Sequence, residues 1–442
     1  MPKVAHPEFS NKKRHSRTLL GVGAAVGLAL TATLVGVTAP GLGHLGSEPN
    51  AVGAIDAPNP LASLPTIPWE GGPAYWSKFP MAKSAGWTDP GFFPISVFMG
   101  KPEHAAQLKS MGVNTYMGAE HDGSLISTIT NQGMFVIAQD EWTQDEIGSD
   151  SKTVAWFISD ECDIGVGCTG ANAQENLIDQ KSKVKRVLAF GDGRFTMANY
   201  SNGVLDTYWA QGTMAELVNL VDVASVDKYA YTSPFVDNQM LQSPHWPVGA
   251  NPVSAASYGW LADRLRSYQT PEGVHPNWVF IEAAMPLLND PGSLTVTPEQ
   301  IDGAVWSAII HEARGVAYFQ HNNGATCGFY SLVDCDQGRL DQIRAINAGI
   351  QSLAPVINTQ SYQFKFNDTT NTMLKAYQGS AYIFADIGLG QSPGPKRFAL
   401  PPGVTGTTVE VVGENRTLPV SGHAFGDTFD GEYSHHVYRV SF

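Results

Sequence analysis

Four cysteines in 442 residues are too few for a disulfide-built scaffold, and charged residues make up only 15% of the chain. Positive charge is scarce as well: 27 Lys and Arg stand against 41 Asp and Glu, a net charge of -14. A body this acidic repels phosphate backbones, and no basic patch interleaved with aromatics is present, so nucleic acid is excluded as a partner. No G-x-G-x-x-G follows the first apolar strand, where "FMGKPEH" offers one glycine, which speaks against a dinucleotide fold. There is no His-x-His pair, and the spacings C-x5-C and C-x7-C do not fit the usual zinc knuckles. No metal or organic cofactor is therefore expected. Internal repeats are absent, and beyond the N-terminus no long apolar run occurs.

Hydrophobic residues reach 43%, enough for a substantial core. The first 54 residues differ from the rest. "NKKRHSR" is a basic stretch, and "TLLGVGAAVGLALTATLVGV" is an uncharged apolar run of signal-peptide to membrane-span length. Small-residue cleavage patterns end at Ala39 and Ala54. The segment reads as a cleaved export signal or a retained anchor, and either places the body outside the cytoplasm. A membrane is expected as a partner only through an uncleaved segment. Without residues 1–54 the balance is 22 basic against 39 acidic, or -17. The cysteines agree with export: Cys162 and Cys168 form one close pair, Cys327 and Cys335 another, and two local disulfides are the simple reading.

Residues 55–90 read as a linker and lead-in. From residue 91 to 355 the pattern alternates. Apolar β-branched and aromatic runs ("FFPISVFM", "VNTYMG", "MFVIAQ", "VAWFIS", "RFTMANY", "VDVASVDKY", "NWVFIEA", "VAYFQH") are mostly followed by helical stretches. One of these opens with Thr297 as a cap and Gln300 completing a capping box. Eight such units over about 260 residues predict a closed (β/α)8 barrel, with an open doubly wound sheet as the runner-up. From 360 to 442 helical periodicity stops, and short alternating strands split by Gly, Pro and Asn predict a small all-β sandwich.

In such a barrel the working residues sit at the C-terminal ends of the strands. The third strand ends in Asp140-Glu141-Trp142, the fourth in Asp160-Glu161, the fifth in Asn199, the sixth in Asp227 with Tyr229 and Tyr231 beyond it. The seventh carries Glu282 and the eighth ends near His321. Strands four and seven lie nearly opposite each other, so Glu161 and Glu282 can face one another across the mouth. A carboxyl pair of that kind suits glycoside hydrolysis, one protonated for the leaving oxygen and one ionised for the anomeric carbon.

"WFISDECD" and "WVFIEAAMP" resemble the two catalytic strand ends of the clan A retaining glycoside hydrolases. "TPEQIDGAVWSAIIHEARGVAYFQH" is similar to the clan's last helix and eighth strand, and an appended β region ending in "HVYRV" is similar to those that follow many such barrels. The resemblance implies Glu161 as acid/base and Glu282 as nucleophile. It also implies a contact from Asp160 to a sugar hydroxyl, a tyrosine donor to the nucleophile from Tyr229 or Tyr231, and subsites lined by Trp142, Trp209 and His321. The clan usually carries Asn where this chain has Asp160. The implied activity is hydrolysis of O-glycosidic bonds in a polysaccharide or glycoconjugate. A catalytically idle, glycan-binding barrel at the cell surface is the alternative. Each site residue also has a plainer reading: Glu161 as a loop cap, Glu282 as a paired core acid, Asp227 as a partner of Lys228, and the tryptophans as packing under the rim.

Overall fold

Eight parallel strands close on themselves: β1 (Ile95–Gly100), β2 (Thr115–Ala119), β3 (Phe135–Gln139), β4 (Thr153–Ser159), β5 (Phe195–Tyr200), β6 (Val223–Val226), β7 (Asn277–Glu282) and β8 (Val316–Phe319), with β8 pairing back onto β1. The computed structural model describes residues 59–68, 72–207, 212–287 and 290–442. The N-terminal apolar segment and Trp209 lie outside the described residues. Among the described residues no helix is long and apolar enough to cross a membrane.

Alternation along each strand splits the side chains into two packing groups. Phe98, Met117, Ile137, Phe157, Met197, Val223, Phe280 and Ala317 fill the barrel interior. Val97, Tyr116, Val136, Trp156, Val279 and Ile281 pack outward with the surrounding helices. The lead-in is more than a linker. Its Trp87 packs against Phe135, Phe195 and Trp278, all at the beginnings of strands. Aromatic burial thus seals the N-terminal end of the barrel and leaves the opposite mouth for chemistry. The capping box at Thr297 forms as its spacing predicts, starting the helix Pro298–Ile310.

The C-terminal region holds the strands β9 (Ser361–Tyr362), β10 (Thr370–Tyr377), β11 (Ser380–Ile387), β12 (Gly394–Ala399), β13 (Thr408–Val411), β14 (Arg416–Pro419), β15 (Ala424–Phe429) and β16 (His435–Ser441). They form a six-stranded antiparallel sheet in the order β14-β13-β16-β11-β10-β9 and a two-stranded β12-β15 pair. The two sheets share a core of Ile383, Phe398, Phe425 and Tyr438, which makes a small sandwich. On β11, Ala381, Ile383 and Ala385 face that core, while Tyr382 and Phe384 face the barrel. Trp306, a buried helix residue, stacks on Phe384 and His435 and so joins the two regions.

Candidate active site

The end of β4 is shaped by a bulge, a left-handed residue and a short disulfide loop. Pairing with β5 shifts between Phe157 and Ser159. Glu161 then adopts φ 47°, ψ 40°, a conformation that non-glycine residues reach only at a cost of roughly 1 kcal/mol or more. Its N–H donates to the Asn199 carbonyl at 3.0 Å, which holds the turn against β5. Cys162 and Cys168 are bonded, and so are Cys327 and Cys335. The first loop folds back on the strand end so closely that a Cβ at Gly167 would lie 2.2 Å from the Asp160 carbonyl oxygen. Glycine is the residue this approach permits.

Asp160, Asn199 and Ser225 form a chain across three strands. Asn199 Nδ2 donates to Asp160 Oδ1 at 2.9 Å, and Ser225 Oγ donates to Asn199 Oδ1 at 2.8 Å. Asn199 is buried, so it orients Asp160 from behind. Burial, then the charge of Glu161, pushes the Asp160 carboxyl up to about 7. Burial and the charges of Glu161 and Asp160 also raise Asp227 well above the ordinary carboxylate range. Three carboxyls in one place cannot all ionise cheaply, so the ionisation of Asp160 and Asp227 is opposed. Lys228 does not bond Asp227; its ammonium donates to Gln239 Oε1 at 3.2 Å. Asp163, which the sequence did not single out, is an anchor. It accepts from the N–H groups of Ser201 and Gly203 and fixes the loop after β5.

Glu282 ends β7 in a different setting. It has 0% accessible surface. The Tyr258 hydroxyl lies 2.5 Å from both of its oxygens, and the Tyr231 N–H donates to Oε1 at 3.2 Å. Burial pushes its carboxyl up to about 7 in spite of the Tyr258 hydrogen bond, which favours the ionised form. The tyrosine hydroxyl expected from Tyr229 or Tyr231 thus comes from Tyr258. The Tyr231 hydroxyl turns away to Glu432, and the Tyr229 hydroxyl reaches Asp227 Oδ2 at 3.5 Å. Tyr229 is nonetheless held between the two acid groups: after burial, Asp227, Glu161, Asp160 and Glu282 each oppose its ionisation.

The remaining rim residues divide. Trp142 is 4% exposed and His121 stacks on its face, so it offers no open platform. His321 lies flat against Phe329 inside the loop of the second disulfide, and Phe329 is 48% exposed. Asp140 is bound to Arg186 and Lys183, a structural tie to the helix Ala173–Leu188. A depression of about 160 Å³ beside Asp160 is lined by Gln139, Glu141, Phe157 and Gly167. A larger cavity of about 290 Å³, lined by Arg266, Glu272, His311 and Asn371, opens at the seam with the C-terminal sheets and touches none of the strand-end carboxyls. Among the described residues no group of His, Cys, Asp and Glu is arranged to hold a metal ion.

No family model matches the chain, and no curated protein does. Among solved structures it is similar to a family 39 glycoside hydrolase from the gut symbiont Bacteroides cellulosilyticus WH2, with TM-score 0.49 and 11% identity over 80% of this chain and 82% of that one. It is similar also to a family 5 glycoside hydrolase from Bacteroides vulgatus ATCC 8482, with TM-score 0.47 and 9% identity over 79% and 89%. A third is an alpha-amylase from Geobacillus thermoleovorans, with TM-score 0.42 and 11% identity over 80% and 99%.

Proposed function

We propose that the protein is an exported glycoside hydrolase that cleaves O-glycosidic bonds in a polysaccharide or glycoconjugate by double displacement. One observation carries the reading: two glutamates end β4 and β7 at the same barrel mouth in contrasting surroundings. Glu161 is half-buried beside Asp160 and Asp227, whose carboxyls burial pushes up. Glu282 is enclosed and gripped by a tyrosine hydroxyl. Two-carboxyl hydrolysis needs an acid and a nucleophile flanking the scissile bond, and these two strand ends offer such a pair.

In this reading Glu282 attacks the anomeric carbon as the bond to the leaving oxygen breaks, and Glu161 gives that oxygen a proton. Glu161 then takes a proton from water, whose oxygen attacks the glycosyl ester and frees Glu282. Asp160, oriented by Asn199, accepts a hydrogen bond from a substrate hydroxyl. The chemistry requires no metal or organic cofactor. Because Glu282 has no accessible surface in this conformation, productive binding requires a rearrangement that exposes it.

That enclosure favours a second reading, in which Asp227 is the partner of Glu161. Asp227 lies among the mouth carboxyls, and its Oδ1 makes no hydrogen bond. A glycan-panel screen of wild type beside Glu161→Gln and Glu282→Gln tests the first reading. Both variants are expected to fold and to lose nearly all turnover, and retained activity in either removes it from its role. Azide rescue decides between the partners. A glycosyl azide of inverted configuration from Glu282→Gly supports the first reading, and one from Asp227→Gly supports the second. Export is tested by locating the chain with and without residues 1–54; equal secretion of both would overturn it.

A further inference from the structure

The turn between β15 and β16 leaves the C-terminal sheets and reaches the residues that hold Glu282. Glu432 on this turn accepts from the Tyr231 hydroxyl at 2.9 Å and 3.0 Å and from the Ala255 N–H at 2.8 Å. Both contacts lead to Glu282. Tyr231 gives its own N–H to Glu282 and stacks on Tyr258, with centroids 5.7 Å apart and planes 25° from parallel. Ala255 is the N-cap of the helix Ala256–Arg266, and that helix receives no side-chain cap of its own. Glu432 supplies the missing acceptor at the positive end of the helix. Tyr258, on the first turn of that helix, carries the hydroxyl that holds both oxygens of Glu282.

The turn itself is firmly seated. A Cβ at Gly303 would lie 2.6 Å from the Tyr433 carbonyl oxygen, so the turn rests directly on the helix Pro298–Ile310. Two residues further on, His435 stacks on Trp306 and lies 3.7 Å from Asp302. A carboxylate fixed this way can position what it touches.

We propose that Glu432 is a positioning residue for Glu282, so that the C-terminal sheets complete the site at the barrel mouth. The proposal deepens the role given above to Glu282 and rests on it for its kinetic arm. Glu432 orients Tyr231 and the first turn of the helix, and these present a hydroxyl and an N–H to the carboxylate. Donors aimed at a carboxylate favour its ionised form. Removing Glu432 loosens both and raises the pH at which Glu282 ionises. The titratable groups facing Glu282 are Tyr258, Tyr231, Tyr229 and Asp237. Asp386 and Glu432 face Tyr231 in turn.

The test compares wild type with Glu432→Ala and Glu432→Gln. The ionisation of Glu282 is followed by NMR of carboxyl-labelled glutamate, with Glu282→Gln assigning the resonance. In Glu432→Ala the midpoint is expected to rise by about one pH unit, a tenfold change in the ionisation equilibrium. Glu432→Gln keeps an acceptor for Tyr231 and Ala255, and its midpoint is expected to stay near that of wild type. On a hydrolysed glycan, Glu432→Ala is expected to lower kcat about tenfold with KM within about twofold, the acid limb of the profile moving up by the same amount as the NMR midpoint. If Glu432→Ala does not fold, Tyr231→Phe removes the same hydroxyl contact and is expected to shift the midpoint in the same direction. An unchanged midpoint in folded Glu432→Ala, or in its Tyr231→Phe substitute, overturns the proposal. A wild type that cleaves no glycan overturns the hydrolase reading, while the titration still decides the role of Glu432.

Discussion

The hydroxyl of Tyr258 lies 2.5 Å from each carboxylate oxygen of Glu282, inside a pocket with no accessible surface at the acid. A single donor shared by two oxygens is the main force favouring ionisation there, against a burial that opposes it. Tyr258→Phe keeps the ring and its stacking on Tyr231 and removes only the hydroxyl. The expected result is a Glu282 ionisation midpoint above that of wild type and a loss of about 1–3 kcal/mol in folding stability at pH 8. Carboxyl NMR and urea unfolding measure the two; an unmoved midpoint would show that the hydroxyl does not govern the acid.

The raised carboxyl of Glu282 also fixes a sign for stability against pH. Its folded value of about 7 lies above the ordinary 4.5, so between these limits the native state holds a proton that the unfolded chain releases. Stability from this group falls as pH rises through that window. Asp160, Asp163 and Asp302 contribute in the same direction, with carboxyls pushed up by burial to about 7, 6 and 7. His275 and His435 oppose them, since burial lowers their rings to about 4 and 3 and they resist protonation on folding. Glu282→Gln removes one contributor without changing shape. It is expected to unfold at a higher urea concentration than wild type at pH 8, by up to about 3 kcal/mol, and with no such advantage at pH 5. An equal difference at both pH values would contradict the assignment.

The barrel was legible because its strands are buried on both faces and read as short apolar runs between helices; "VAWFIS" and "NWVFIEA" each match a strand to within one residue. The C-terminal region was read less completely. "YQFKFN" alternates like a strand, yet of its residues only Tyr362 pairs, beside the preceding Ser361, while "AFGDTF" pairs fully although Gly426 and Asp427 interrupt its pattern. At the site, strand-end acids were visible because few other reasons place Asp and Glu after an apolar run. Tyr258 was not, since a tyrosine on an amphipathic helix looks like core until its hydroxyl partner is known. Glu432 carried no signal: its role depends on which helix the turn of a separate sheet reaches. Trp142 looked like a platform, and only the position of His121 shows its face to be covered.

Gly167 links the first disulfide loop to the strand end. A methyl group there would lie 2.2 Å from the Asp160 carbonyl oxygen and 2.6 Å from its nitrogen, both backbone atoms that cannot swing away. Gly167→Ala is therefore expected to displace Asp160 and the adjacent Glu161, lowering kcat by at least about tenfold through loss of alignment. Melting should fall only modestly, because Gly167 lies in a surface loop. Kinetics beside calorimetry separate the two effects. Full activity would mean that the loop does not set the position of the acids.

Away from the mouth, the seam between barrel and sheets contains a buried charge cluster whose arithmetic is unforgiving. Glu312, at φ 70° and largely buried, pairs with Arg314 and lies 3.9 Å from the ammonium of Lys375 on β10. Lys375 has no accessible surface, and its ammonium also donates to the Thr359 carbonyl at 2.6 Å. Burial would raise the Glu312 carboxyl, but Arg314 and Lys375 outweigh it and hold it at about 2. Its contribution to stability is therefore present above pH 4.5 and lost as pH falls toward 2. Burial and the charge of Arg314 lower the Lys375 amine well below its ordinary value, so Arg314 is the cation on which the cost rests; Glu312→Gln removes its anion, a change expected to cost about 3–5 kcal/mol at pH 7. The deficit should shrink steadily in urea titrations taken toward pH 2.5. Hydrogen exchange should quicken first in β10 and β11, because Lys375 ties that hairpin to the barrel. A loss below about 1 kcal/mol at pH 7 would place the cluster among ion pairs that water still screens.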